Sequence, residues 1–430
     1  MSLLIKNARI IDKTEHLDQI CDLFCSDGII KCIGDNLDFL KDDKNAQIID
    51  GKSLVLAAGF FDMHVHLRDP GQTQKEDLIS GTNAAAAGGV TSLLAMPNTV
   101  PSVDCPEVVT DILTRSKNLP CNVYVCGAIS KELKGEELTD IDELKKSGIT
   151  ALSDDGRPVL HEEMLEKALV KASKENLLVT CHCEDLDLAA DGIVNKGEVS
   201  EKMNAKGISN ESEYKAVERE ITLAKKLNVP VHIAHVSTKE SIELIRKAKS
   251  EGVKVTCETA PHYFIFTDQM LLGKNADFRM NPPLRSEDDR KAVIEGLKDG
   301  TIDAIVTDHA PHTQKDKSDF YKAPNGVIGM ESTFASANTY LVDKGEVSLG
   351  DVLYKMSKSQ ADILKVNSGV IALGKPADLV LLDINEVWTF DRNKLHGKSK
   401  NTPFDGMSFK GKVKYTVLNG EVVYTDGLSN

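Results

Sequence analysis

The chain has 430 residues, of which 41% are hydrophobic and 27% charged, and its formal net charge is −14. This composition is ordinary for a globular protein and excludes a disordered or collagen-like chain. The negative charge argues against nonspecific binding to nucleic acid or to anionic membranes, so an anionic ligand needs specific local cations. The 9 cysteines include no Cys-x-x-Cys pair, which favours reduced thiols over a disulfide framework or a zinc ribbon.

The first residues lack the charged region and the long apolar stretch of a signal peptide. No run in the chain approaches the roughly 20 apolar residues of a membrane helix. We therefore predict a cytoplasmic protein without a membrane segment.

Both ends of the chain carry short strand patterns. Residues 1–57 contain alternating or apolar runs between turn-forming residues, and similar runs return in residues 366–430. Because an isolated hairpin is only marginally stable, we expect the two ends to pair into one small composite β-sandwich. Residues 58–365 then form a separate, larger domain.

This central segment contains short apolar runs that alternate with helical patterns. Near-continuous apolar runs are typical of parallel strands that are buried on both faces. Strand alternating with helix eight times predicts an α/β protein with a (β/α)8 barrel of the TIM type. The predicted strands are residues 60–66, 90–96, 122–128, 149–153, 177–183, 229–236, 253–259 and 302–308.

Histidine and aspartate residues stand at the ends of several predicted strands. His64 and His66 end the first strand and share one face of it, since strand side chains alternate between the faces. Alone, this pair could be structural. The βα loops of a barrel converge at one mouth, however, so residues that end different strands lie near one another. The further residues of this kind are Asp154, Asp155, His182, His235 and Asp308.

Histidine and carboxylate ligands without a thiolate suit zinc or a similar metal in a catalytic site. One carboxylate could bridge two ions and so allow them to share a hydroxide nucleophile. Taken singly, His182 and His235 could be core histidines, and Asp308 could cap the segment that follows it. Only their shared position at the barrel mouth favours a metal centre.

Several motifs together resemble the dihydroorotases of the amidohydrolase superfamily. They occur in the family order and cover nearly the whole chain. The closest resemblance is to the bacterial type in which an aspartate, rather than a carboxylated lysine, bridges the metals. The motifs are His64-x-His66-x-Arg68 and residues 96–99, 154–156, 181–185, 235–238, 281–285, 308–312 and 374–378.

The resemblance implies the reversible cyclisation of N-carbamoyl-L-aspartate to L-dihydroorotate plus water in pyrimidine biosynthesis. It implies one or two zinc ions per chain, a metal-bound hydroxide as nucleophile, and Asp308 as the general acid/base. The first ion would be held by His64, His66 and Asp308, and the second by His182 and His235. An aspartate would bridge the ions; we favour Asp155, although the strand spacing does not separate it from Asp154.

The resemblance also implies a clamp for the substrate carboxylate. Arg68 and Asn98 would form it, with Asn281 and His312 as further substrate contacts. The planar guanidinium of arginine pairs with a carboxylate through two parallel hydrogen bonds. Related hydantoinases and allantoinases act on rings without that carboxylate and would not need Arg68. The alternatives are an ion pair of Arg68 with Asp69 or Glu76, and hydrogen-bonded loop roles for the other three residues.

The implied partners are a small-molecule substrate and neither nucleic acid nor membrane. A homodimer is compatible with the resemblance, and the family sometimes associates with aspartate transcarbamoylase, although no residue identifies either interface. An inactive scaffold homologue is disfavoured because every expected ligand type is present. One segment departs from the family pattern: residues 313–326 carry Asn325 where a phenylalanine is expected. Their Gly and Pro content fits a mobile lid.

Overall fold

A computed structural model describes residues 2–38 and 46–427 of the chain. Met1, residues 39–45 and residues 428–430, which belong to the predicted end segments, lie outside the described residues. In chain order the strands are β1 (Ser2–Asp12), β2 (Leu17–Ser26), β3 (Ile29–Gly34), β4 (Ala46–Asp50), β5 (Val55–Ala58), β6 (Phe60–Val65), β7 (Val90–Ala95), β8 (Asn122–Ala128), β9 (Ala151–Ser153), β10 (Leu178–Cys181), β11 (Val194–Asn195), β12 (Gly207–Ile208), β13 (Val231–Ile233), β14 (Val255–Thr259), β15 (Ala304–Ile305), β16 (Leu379–Thr389), β17 (Ser408–Leu418) and β18 (Glu421–Thr425).

Eight parallel strands form the central barrel in the order β6, β7, β8, β9, β10, β13, β14 and β15. Each of them falls within one of the eight predicted strands, so the predicted TIM-type barrel is confirmed. The barrel closes just beyond β15, where the His66 amide donates to the His309 carbonyl at 2.8 Å. The loops after β6 and β15 are therefore neighbours.

Helices separate the barrel strands along the chain. The largest hydrophobic core lies between the strands and these helices, and it includes Leu93 of β7; the next residue, Leu94, belongs to a smaller cluster on the opposite face. Both faces of the barrel are thus buried, as its apolar strands predicted. The α-helices are α1 (Leu78–Ala87), α2 (Pro106–Arg115), α3 (Ile141–Ser147), α4 (Glu162–Lys174), α5 (Leu186–Ala189), α6 (Glu198–Met203), α7 (Asn210–Leu227), α8 (Lys239–Ser250), α9 (Pro261–Ile265), α10 (Glu287–Lys298), α11 (Thr333–Ala337), α12 (Leu349–Lys355) and α13 (Lys358–Ile363).

Both chain ends contribute to a second sheet, which confirms the predicted composite β-sandwich. Its strands run in the order β18, β17, β16, β5, β1, β2 and β3, and β4 also pairs with β1. Two strands pair with β1 at different parts of its length: β4 pairs with Ser2–Lys6, and β5 pairs with Arg9 and Ile10. Side chains from both chain ends, such as Ile5 and Leu381, share one core. The exact domain boundaries stay predictions.

Among the described residues, no helix combines the length and the apolar character needed to cross a bilayer.

Candidate active site

The predicted ligand residues meet at the mouth formed by the carboxyl ends of the barrel strands. His64 lies at the end of β6 and His66 directly after it; Asp155, His182, His235 and Asp308 follow β9, β10, β13 and β15. All six side chains are buried. The barrel thus brings His64 and Asp308 together, although 244 positions separate them in the chain.

Asp155 lies between two pairs of histidines. Its Oδ1 is 3.4 Å from Nε2 of His64, and its Oδ2 is 3.5 Å from Nε2 of His66. On the other side, Oδ1 is 3.6 Å from Nδ1 of His182 and 3.6 Å from Nε2 of His235. These residues form two groups able to hold a metal ion, and Asp155 belongs to both.

The first group fits a bound metal. Nε2 of His64 and Oδ1 of Asp155 are buried and have no hydrogen-bond partner among the described residues. Buried polar atoms rarely stay unpaired, and a shared cation would satisfy both. Ligand atoms about 2.0–2.1 Å from a tetrahedral zinc lie about 3.3 Å apart, which is close to the separations found here. In the second group, Nδ1 of His182 and Nε2 of His235 are 2.9 Å apart.

Asp154, the alternative bridging residue, is engaged elsewhere. Its Oδ1 accepts hydrogen bonds from the backbone amides of Ile129 at 2.8 Å and Ser130 at 3.0 Å, and its Oδ2 accepts from the Ser130 hydroxyl. Burial raises the pKa of Asp154 to about 6 in spite of these donors. Its carboxylate therefore fastens the loop after β8, and Asp155 alone of the pair belongs to the histidine groups.

Asp308 lies beside the first histidine pair. Its Oδ1 is 3.4 Å from Nε2 of His66 and 3.7 Å from Nε2 of His64. Burial alone would raise the pKa of Asp308, but the hydrogen bond from His66 and the other histidines outweigh it and lower the pKa. The backbone of Asp308 is left-handed, with φ 48°, as are those of His235 (φ 33°) and Arg68 (φ 59°). Such strained conformations cluster at functional sites.

Burial and the neighbouring carboxylates have opposite effects on the pKa values of the clustered histidines. Burial disfavours the charged form of His64, yet the carboxylates of Asp155 and Glu258 outweigh it and raise its pKa above the ordinary value. Burial likewise opposes the charging of His182, while Asp155 and Glu184 raise its pKa to about 10. At His66, by contrast, burial outweighs the neighbouring carboxylates and lowers the pKa. The carboxylates thus favour positive charge at His64 and His182.

Three further side chains orient the histidines, and the sequence analysis missed this role for all of them. Oε1 of Glu258 lies 2.6 Å from Nδ1 of His64, and Oε2 of Glu184 lies 3.4 Å from Nε2 of His182. Asn98 places its Oδ1 2.7 Å from Nδ1 of His66. A carboxylate or amide on the far nitrogen fixes the tautomer of a ligating imidazole. Glu258 could have been noticed as a charged residue in β14, whose other residues are uncharged.

Arg68 and His312 adjoin each other at the edge of this cluster. Nε of Arg68 donates to the Pro311 carbonyl at 3.2 Å, and one terminal nitrogen lies 3.5 Å from Nε2 of His312. The alternative ion pairs are not formed: Asp69 pairs with Arg115, and among the described residues no carboxylate pairs with Arg68. Burial lowers the pKa of Arg68 to about 10, so the guanidinium still carries its charge at neutral pH.

The remaining predicted substrate contacts lie close to these residues. Nδ2 of Asn281 donates to Glu184 at 3.1 Å and lies 3.4 Å from Nε2 of His182. Nε2 of His312 donates to the Asn325 carbonyl at 2.9 Å. Burial, together with the positive charge of Arg68, lowers the pKa of His312 to about 3, so this imidazole is neutral.

The segment expected to be a mobile lid is fastened at its base. Nζ of Lys317 donates to the carbonyls of Arg279 at 3.1 Å, Pro324 at 3.0 Å and Gly326 at 2.9 Å. Asn325, the departure from the family pattern, accepts a hydrogen bond from the Arg279 guanidinium at 3.1 Å. A phenylalanine could not accept this bond, so the departure has a local polar partner.

Comparison with known proteins identifies the family of the chain. The model of the amidohydrolase family matches residues 55–423. The dihydroorotase of Acetivibrio thermocellus is 46% identical over 423 residues and that of Ruminiclostridium cellulolyticum 44% over 425, covering 98% of both chains in each pair.

Solved structures of similar shape include the L-hydantoinase of Arthrobacter aurescens, with a TM-score of 0.88, 23% identity and coverage of 100% of this chain and 97% of the other. The dihydropyrimidinase of Brevibacillus agri has a TM-score of 0.86, 24% identity and coverage of 99% and 95%. At these identities the likeness shows the fold alone. The near full-length match to the curated relatives carries the assignment further: the chain belongs to the amidohydrolase family and, within it, to the dihydroorotases.

Proposed function

We propose that the chain interconverts N-carbamoyl-L-aspartate and L-dihydroorotate at the barrel mouth, with a metal centre on one side of the substrate and a carboxylate clamp on the other. The observation that carries the clamp is Arg68. A buried charge is costly unless it is paired, and this guanidinium has no carboxylate partner among the described residues. An anionic substrate beside the histidine cluster would supply that partner.

The metal centre is proposed to hold zinc. His64, His66 and Asp308 would hold one ion, His182 and His235 the second, and Asp155 would bridge them. The donor set of imidazole and carboxylate, the separations near 3.5 Å and the unpaired atoms of His64 and Asp155 support this assignment. A bound zinc supplies Lewis-acid chemistry, because it polarises a carbonyl group and activates water near neutral pH.

Asp308 is proposed as the general acid/base. Its lowered pKa leaves it ionised at neutral pH, so in hydrolysis it can take a proton from the attacking water and pass it to the departing ring nitrogen. In cyclisation the same carboxylate can take the proton from the carbamoyl nitrogen and pass it to the carboxyl oxygen that leaves as the ring closes. Oδ1 of Asp308 lies 3.4 Å from Nε2 of His66, beside the histidine pair.

The clamp fixes the substrate end that bears the carboxylate. Arg68 would bind this carboxylate through two parallel hydrogen bonds, with neutral His312 beside it. Asn98 and Asn281 are proposed as further substrate contacts, and both also border the histidines of the metal groups. Substrate bound in this way would place its amide toward Asp308.

Hydrolysis of dihydroorotate, hydantoin and allantoin by the purified protein, together with metal analysis, tests this proposal. We expect turnover of dihydroorotate and zinc at one or two ions per chain. A clear preference for an uncharged ring would contradict the clamp, and a protein that is active without any metal would contradict the metal centre. A folded protein inactive on all three rings would favour a scaffold role.

The cytoplasmic location, homodimer formation and association with aspartate transcarbamoylase remain predictions that rest on the sequence. Size-exclusion chromatography with light scattering, with and without purified aspartate transcarbamoylase, would measure both associations.

A further inference from the structure

A segment from the C-terminal part of the chain crosses the barrel mouth. We call residues 396–402, which lie between β16 and β17, the strap. The strap holds the loop after β6, because the Lys398 amide donates to Oε1 of Glu76 at 3.1 Å and the Ser399 hydroxyl donates to the Lys75 carbonyl at 2.7 Å. That loop carries Arg68. The strap therefore reaches one half of the proposed clamp.

Asn401 of the strap holds the loop after β15. Its Oδ1 accepts from the His312 amide at 3.0 Å, while its Nδ2 donates to the carbonyls of Ala310 and Gly326, each at 3.1 Å. Its own carbonyl accepts from the Ile328 amide at 3.0 Å. Asn401 is 4% exposed. The pattern requires an acceptor and two donors on one short side chain, which only an asparagine amide offers at this length.

These bonds fix the backbone that the clamp depends on. Asn401 binds residues 310 and 312, and Nε of Arg68 binds the Pro311 carbonyl between them. The same amide holds Gly326, where an added Cβ would lie 3.1 Å from Nε2 of His312. A shift of the backbone at residues 310–312 would thus move both His312 and the Pro311 carbonyl that Arg68 binds.

We infer that Asn401 is a positioning residue for the carboxylate clamp: it sets the relative placement of His312 and Arg68 without touching the substrate. This inference rests on the proposed function, since the clamp itself is part of that proposal. A positioning role predicts weaker binding of substrate while the proton-transfer machinery and the metal centre stay intact. A merely structural role predicts loss of stability without a selective change in KM.

Asn401→Ser tests the inference, with Asn338→Ser as the matched control. Asn338 is 3% exposed and also donates to two backbone carbonyls, those of Ile384 at 3.1 Å and Lys410 at 2.8 Å, but it lies against the end sheet. For Asn401→Ser we expect KM for dihydroorotate to rise about tenfold or more, since small misplacements of binding groups are costly. We expect kcat to stay within about threefold and metal content to be unchanged. Asn338→Ser should leave KM unchanged.

Each outcome decides the inference. An unchanged KM in a folded Asn401→Ser protein would overturn it, and so would an equal rise of KM in both variants. Loss of fold in Asn401→Ser, seen by circular dichroism, would also count against it, because Asn401 would then act on stability. If the parent protein does not convert dihydroorotate at all, the proposed function fails instead, so the two failures are distinguishable.

Discussion

Glu258→Gln is expected to weaken metal binding at the His64 side of the site. Glu258 is 0% exposed, and its two oxygens lie 2.6 Å from Nδ1 of His64 and 3.1 Å from Nε2 of His232. Glutamine keeps the shape and can still accept from His64, but it removes the charge. Burial opposes ionisation of Glu258, yet His64 and His232 lower its pKa, so the parent residue is a carboxylate at neutral pH.

The expected loss follows from the hydrogen bonds. A bond to a charged group contributes about 1.5 to 3 kcal/mol and a neutral one about 0.5 to 1.5 kcal/mol, so the bond to His64 loses about 1 to 1.5 kcal/mol. Changes to groups that orient a metal ligand typically cost about 10- to 100-fold in metal affinity. A loss of about 1 to 1.5 kcal/mol corresponds to about 5- to 13-fold in affinity, at the lower end of this range. We therefore expect about a tenfold loss of zinc affinity for Glu258→Gln, measured by titrating metal-free protein with zinc against a competing chelator.

Glu331→Gln provides a matched control for this measurement. Oε2 of Glu331 lies 2.8 Å from Nδ1 of His396, which is the same pair of groups outside the barrel mouth. Its replacement should leave zinc affinity unchanged. Zinc affinity of Glu258→Gln within about twofold of the parent would refute an orienting role for Glu258, given the usual size of such effects.

Three further predictions concern catalysis and stability. Asp308→Asn should lower kcat by about 100-fold or more, because it removes the proposed proton carrier; steady-state assays that show activity within a few-fold of the parent would contradict that role. Arg68→Met should raise KM for dihydroorotate at retained metal content, and a fall in kcat at constant KM would argue against the clamp. The hydrogen bond from His396 to Glu331 raises the pKa of His396, so its stabilisation is complete below the unfolded pKa of about 6.5 and is lost as pH rises through the folded value. His396→Gln should therefore lower the melting temperature more at pH about 6 than at pH about 9, and an equal loss at both would contradict the charged pair.

The barrel could be predicted from the sequence because its signals are local. Apolar runs bounded by turns specify buried parallel strands, and the position of His64 or Asp308 at the end of such a run places it at the mouth. The choice between Asp154 and Asp155 could not be made in this way. Both follow β9 directly. Only their side-chain contacts in the folded chain show that Asp154 faces the loop at Ser130 while Asp155 faces the histidines.

Long-range hydrogen bonds account for most of what the sequence could not predict. Asn401 lies 89 positions from His312, and Glu258 lies 194 positions from His64. No periodic pattern records such pairs, since each consists of one polar residue on each of two distant segments.

The arrangement of charges explains how a chain of net charge −14 can bind an anionic substrate. The carboxylates Asp155, Asp308 and Glu258 are concentrated around the histidines, where bound cations would neutralise them. Arg68 lies beside this cluster, and its guanidinium bonds to the Pro311 carbonyl rather than to a carboxylate. If Arg68 binds the substrate carboxylate as proposed, a substrate with one carboxylate would have a single favourable orientation, with its charge on Arg68 and its amide toward Asp308. The proposed clamp also predicts that an uncharged ring would bind weakly, because it would leave the buried guanidinium of Arg68 unpaired.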